Sequence, residues 1–236
     1  MTRTRFRLRN ALSFGRRFLP TLVATAIGSA MRLASAPRVI ALTLPLWATG
    51  LLMSPSTVAA QPEPKFVITP VAEKKLTQLP AGSLYWQVEN FPTLAQAQAT
   101  GGPTSLAFEA RGKVWLLTLG SKGGSTPGGS KVAEIGPVPR ITAPEYLLRV
   151  TNSGGPPGAK TPVHSHPGPE AFYVLAGRMG QKTPHGVSYA EAGQSMNGHA
   201  ADMPMEVFSA GTTDLDQLVM FVVDANRPFS PPAKFD

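Results

Sequence analysis

Glycine and proline cut the C-terminal half of this chain into short apolar runs, and none is long enough for an ordinary helix. The 236 residues include 23 Gly and 24 Pro. Proline removes a backbone donor, and glycine weakens any regular element it interrupts. The runs at 106–110, 114–119, 132–135, 146–151, 163–166, 170–176, 193–196, 205–209 and 217–223 therefore read as strands, and their spacing is that of a sandwich or barrel. One short helix is expected at 92–100, where "PTLAQAQAT" sets a proline at the start of an Ala/Gln-rich stretch. Residues 61–80, with prolines at both ends, read as an N-terminal arm holding a short strand or helix.

The formal charge of +8 invites a nucleic-acid reading, and the placement of the charges removes it. Arg3, Arg5, Arg7, Arg9, Arg16, Arg17, Arg32 and Arg38 are eight of the 22 basic residues, and the first acidic residue is Glu63. From residue 61 onward the remaining 14 basic residues meet 14 acidic ones. The basicity thus belongs to a leader, residues 1–60. Residues 31–60 have a basic start, an apolar stretch at 39–53, and small residues at Val58 and Ala60. This is the layout of a secretory signal cut after Ala60, which would place residues 61–236 in the periplasm or outside the cell. Met31 would be either the true start or the end of an extended basic segment. The apolar stretch is shorter than the roughly 20 residues that span a bilayer, so an inner-membrane anchor is the alternative, and any membrane contact is through the leader alone. The chain has no cysteine. No disulfide is available, and any bound metal must be held by nitrogen and oxygen.

The chemistry concentrates in residues 161–177, "TPVHSHPGPEAFYVLAG". On a strand, positions i and i+2 share a face, so His164 and His166 project together. Pro167-Gly168-Pro169 reads as a sharp turn with glycine taking the positive backbone angle, and Glu170 then opens the returning strand beside the histidines. Two imidazoles and a carboxylate suit a divalent transition metal: Fe, Mn, Ni, Cu or Zn. On ligand chemistry alone, a metal site and a pair of surface histidines beside a turn stand level.

The wider spacing adds to this. Gly158, His164, His166, Glu170 and Gly177 fit G-x5-H-x-H-x3-E-x6-G at every fixed position, and in this the chain resembles the cupin superfamily. The resemblance implies an all-β fold: a jelly-roll antiparallel β-barrel, here with an N-terminal arm and one short helix. It implies one cupin domain at 61–236 with core motifs at 158–208. It also implies a metal held by His164, His166 and Glu170 inside the barrel. The second cupin motif is degraded. Gly193 matches its opening, but the position of its histidine falls on Pro204 or Met205, and that of its asparagine on Phe208 or Ser209. His199, Met205 or water is left to complete the coordination, with His185 in an expected hairpin turn as a further candidate. A metal-free hydrogen-bonded cluster of the same three residues is the other reading.

The period of two places Phe172, Val174 and Ala176 on the cavity side with Glu170, opposite Met205 and Val207. Tyr173 and Leu175 then face outward and would mark a homodimer contact. Residues 218–223, "LVMFVV", read as a strand covered on both faces, and Trp86 and Trp115 as core. "GSKGGSTPGGSK" at 120–131 lacks the order of a phosphate loop and reads as a hairpin connection. No Gly-x-Ser-x-Gly elbow is present, so nucleophilic hydrolysis has no support. Two functions follow from the resemblance: a dioxygenase-type oxidoreductase on a small organic substrate, or a non-catalytic module that binds a small ligand.

Overall fold

The computed structural model describes residues 63–235, so the leader lies outside the described residues. Three antiparallel sheets and one helix make up the described chain. In the central sheet, β1 (Val67–Leu76), β6 (Tyr146–Gly155), β12 (Leu215–Asp224), β7 (Glu170–Ala176) and β10 (Ser195–Asn197) are neighbours in that order. A second sheet has the order β11 (Glu206–Ser209), β8 (Arg178–Thr183), β9 (Gly186–Glu191). A third has the order β3 (Ser105–Ala110), β4 (Lys113–Gly120), β2 (Leu84–Phe91), β5 (Ser130–Val138). Helix α1 (Leu94–Thr100) starts at Thr93, whose side chain accepts from Gln96 N at 3.2 Å.

Side-chain alternation along β12 splits the core in two. Leu218, Met220 and Val222 pack with Leu148, Val150, Trp86, Trp115 and Leu117, between the central sheet and the third sheet. Val219, Phe221 and Val223 pack with Phe172, Val174, Met179 and Val207, between the central sheet and the second sheet. The latter two sheets enclose a jelly-roll barrel, and the third sheet covers the barrel's outer face. Trp86 and Trp115 are core residues, as their apolar context implied.

Several expectations need correction. The arm at 61–80 is largely β1, a ten-residue strand paired along its length with β6. Tyr173 and Leu175 are not a free outward patch: both pack against the core under the third sheet, with the Tyr173 and Trp115 rings 6.2 Å apart. The ground for a homodimer at those residues falls with that cover. The 120–131 loop is no hairpin connection, because β2 lies between β4 and β5. The loop crosses β2 and is tied to it and to β5. Thr126 N donates to Glu89 Oε1 (2.8 Å), Gly123 N to Glu134 Oε2 (2.8 Å), and Gln87 Nε2 to Ser121 O (2.9 Å).

Trp115 packs beside Tyr173 of the central sheet, and its Nε1 donates to Ala110 O of β3 at 3.0 Å. Trp115→Ala should cost about 3–5 kcal/mol, the range for truncating a fully buried large aromatic. Urea unfolding should show a lowered midpoint with an unchanged m-value. A midpoint within error of the wild type would mean the third sheet is not part of the cooperative fold.

Candidate functional site

The segment carrying the histidines is not the strand its sequence indicated. Pro162, Pro167 and Pro169 cannot donate to a ladder, and only a single bridge residue, His164, forms. His164 N donates to Met205 O (3.0 Å) and Met205 N to His164 O (2.8 Å) on one side. On the other side, Ser165 N donates to Pro231 O (3.2 Å) and Ala233 N to Val163 O (3.1 Å). The segment is thus held between β11's approach and the C-terminal tail. The Pro-Gly-Pro turn docks on β12: Val222 N donates to Pro169 O and Asp224 N to Pro167 O, each at 3.1 Å. Gly168 does not have the positive φ expected of it. Its lack of a side chain is required by close approach, because a Cβ would collide with the Val222 carbonyl.

The three sequence-selected residues come together. The His164 and His166 rings meet edge to face with centroids 4.9 Å apart, and His166 Nε2 is 3.8 Å from Glu170 Oε2. His166 and Glu170 are buried, and His164 is half-buried. At that separation the pair resembles an ion pair, yet burial opposes both charges. It pulls the His166 imidazole down to about 4, with the charges of His164 and Arg149 adding to the effect against a backbone hydrogen bond. It pushes the Glu170 carboxyl up to about 8 against a hydrogen bond from Gln181. The contact is therefore one between a neutral imidazole and a neutral carboxylic acid around neutral pH.

The histidine tautomers bear on metal binding. His166 Nδ1 is 2.6 Å from Phe229 O, and His164 Nδ1 is 2.8 Å from Pro162 O. A carbonyl only accepts, so each Nδ1 carries a proton, and His166, kept neutral by burial, has its electron pair on Nε2. This is the arrangement found behind metal-ligating histidines. In donor chemistry the set fits an ion held by nitrogen and oxygen. Among the described residues, however, no three His, Cys, Asp or Glu side chains stand already closed around a metal position.

His166 and Glu170 sit at one end of a cavity of about 260 Å³. Phe66, Phe172, Val207, Val219, Phe221 and Phe229 supply its apolar wall. Val174 is buried in the barrel core, and Ala176 is exposed rather than lining. Met205 is buried behind the site with its Sδ accepting from Gln181 Nε2 at 3.4 Å. His199 does not line the cavity. Burial and the nearby His185 hold its imidazole below the usual value. His185 lies in the turn between β8 and β9, as expected.

Sequence reasoning missed Gln181, whose Nε2 donates to Glu170 Oε1 at 2.6 Å. It also missed the row Arg149, Thr151 and Ser153 on β6, which lines the cavity with Gln217. The available signal was alternation. Met179, Gln181 and Thr183 are alternate positions of β8 and all are buried, so a glutamine in that register faces inward.

No family model and no curated protein matches the sequence. Solved structures do, over part of its length. The polyketide cyclase RemF from Streptomyces resistomycificus is 21% identical over 38% of this chain and 62% of its own, with a TM-score of 0.32. The DMSP lyase DddQ from Ruegeria pomeroyi is 22% identical over 34% and 41%, with a TM-score of 0.31. A cupin-like protein from Thermotoga maritima is 17% identical over 37% and 65%, with a TM-score of 0.34. The chain spans less than two thirds of the length of each. The described residues have the antiparallel jelly-roll architecture that goes with the first cupin motif; the chemistry rests on the residues above.

The two perturbed groups oppose each other in stability. In chelator-treated protein, unfolding protonates His166 near its ordinary 6.5 while the native state keeps it neutral down to about 4, so stability rises with pH across that window. The native state keeps the Glu170 proton up to about 8 while the unfolded chain loses it near 4.5, so stability falls as pH rises across that window. Urea midpoints should stay nearly level from about 4.5 to 6.5, where the two offset. From 6.5 to 8 they should decline, by at most about 1.4 kcal/mol per pH unit. Glu170→Gln should remove that decline, and a variant that still declines above 6.5 would assign it to another group.

Proposed function

We propose that the protein is an exported, metal-dependent cupin-type oxidoreductase of the dioxygenase kind acting on a small organic substrate. In this reading His164, His166 and Glu170 hold one divalent ion: iron, manganese, nickel, copper or zinc. The observation that carries the reading is the pair of imidazoles with Nδ1 committed to main-chain carbonyls and with His166 Nε2 beside a buried carboxyl group, at one end of an apolar cavity. When bound, such an ion orients substrate oxygens and activates dioxygen or water. The chain's own residues do the remainder. The Pro162 and Phe229 carbonyls set the ring orientations. Gln181 holds Glu170 by Oε1, which leaves Oε2 as the oxygen facing His166 Nε2. Phe172, Val207, Val219 and Phe221 exclude water and take the apolar body of a substrate. Export rests on the leader: cleavage after Ala60 would release residues 61–236 to the periplasm or the medium, and an uncleaved leader would tether them to the inner membrane.

Elemental analysis of the purified protein tests the metal. About one equivalent of a single transition metal is expected, falling below roughly a tenth of an equivalent in His164→Ala with the fold retained. Metal below that level in the wild type, even after reconstitution, would remove this function.

A second reading is a metal-free ligand-binding module. It is favoured by one feature: Gln181 ties Glu170 to Met205, at the place where the second cupin motif would set a histidine. Thermal stabilisation by a small ligand that persists in chelator, in a protein with no turnover, would select it.

A further inference from the structure

We propose that the cavity recognises a small carboxylic acid, with Arg149 as the carboxylate anchor and Thr151 as the partner of a second oxygen on the same molecule. The inference rests on the reading of this cavity as a substrate site and adds the substrate's class.

Arg149 is the one lysine or arginine among the described residues that lines the cavity. Its guanidinium lies 4.2 Å from the centroid of the Phe229 ring, whose carbonyl also orients His166. The charge therefore stands at the same end of the barrel as the histidines. Its register agrees: Arg149 pairs with Phe221 across β12, and Phe221 pairs with Glu170 across β7. Among the described residues Arg149 bonds a single oxygen, Glu73 Oε2, through Nε (2.9 Å) and Nη2 (2.8 Å). The Glu73 side chain is 54% exposed and that of Arg149 22%, so the arginine is held by a weak, water-screened partner. Nη1 has no partner among the described residues, and a planar guanidinium with an open edge is suited to taking a carboxylate on two N–H groups.

The second observation is independent of charge. Thr151 is 2% and Gln217 1% exposed, both line the cavity, and both carry a buried oxygen with no hydrogen-bond partner: Thr151 Oγ1 and Gln217 Oε1. A buried polar atom left unmatched is costly, and native structures pair such atoms with protein, water or ligand. Arg149 and Thr151 are two residues apart on one face of β6, with Cα atoms about 7 Å apart. The wall between and around them is aromatic and aliphatic. The complementary molecule is an acid with an apolar, ring-sized body and a hydroxyl on the far side of that body from its carboxylate.

4-Hydroxyphenylacetate is a probe of that shape. Its neutral counterpart is 4-hydroxyphenylacetamide, and phenylacetate lacks the hydroxyl. Calorimetric titration of the purified protein, with and without chelator, should show the acid binding at least about tenfold more tightly than the amide. Arg149→Gln should remove that preference while leaving amide binding unchanged, which also shows that the variant is folded. Thr151→Val should bring 4-hydroxyphenylacetate to the affinity of phenylacetate. Equal binding of acid and amide, full acid affinity in Arg149→Gln, or no binding of any probe at millimolar concentration would overturn the proposal. Acid binding that is abolished by chelator and indifferent to Arg149 would also overturn it, since the metal would then be the anchor, and would leave the proposed function standing. Arg149-dependent binding in a protein that takes up no metal would support this inference and remove the metal reading.

Discussion

Everything in this structure hangs on β12. Nine of its ten residues are buried, and it is hydrogen-bonded to β6 on one side and to β7 on the other. One of its faces fills the core with Trp86 and Trp115, and the other fills the barrel with Phe172 and Val207. The backbone N–H groups of Val222 and Asp224, near its end, also hold the Pro-Gly-Pro turn that brings Glu170 back to His166. A strand that carries both cores and docks the turn couples global stability to site geometry. Shifting it by one residue would exchange its two apolar faces and carry the turn with it.

The site is an unusual tenant of such a core, because it places polar groups where the rest of the barrel is apolar. The solution is partial pairing. Glu170 is matched by Gln181 and each histidine by a main-chain carbonyl, while burial keeps His166 and Glu170 neutral against those hydrogen bonds. What stays unmatched is informative. Of the seven buried polar atoms without a partner among the described residues, Thr151 Oγ1 and Gln217 Oε1 belong to residues that line the cavity. An unpaired polar atom on a cavity wall is one that a ligand can supply with its missing hydrogen bond.

Much of this was legible in the chain. The spacing from Gly158 to Gly177 identified three residues that do meet in space, and the nine-residue stretch at 92–100 contained the helix that Thr93 caps. The unbroken apolar run at 218–223 announced a strand covered on both faces. Other elements carried no such signal. In β8, "RMGQKT", Met179 is the only large apolar side chain, so its strand character comes from pairing with β9 and β11 rather than from composition. The segment 163–166 was the reverse case: its composition allowed a strand, and flanking prolines reduced it to one bridge.

The sequence alone determined the class of fold and the donor types, because strand length, turn residues and ligand chemistry are local properties written into spacing. It could not say what stands opposite the histidines. That depends on which strands become neighbours: pairing of β11 with β8 brings Gln181 to Glu170 and Met205, and pairing of β6 with β12 lines Arg149, Thr151 and Gln217 along the cavity. Gln181 is 11 positions from Glu170 and 24 from Met205, and Gln217 is 68 from Arg149, so only the closure of the barrel puts them within reach of one another.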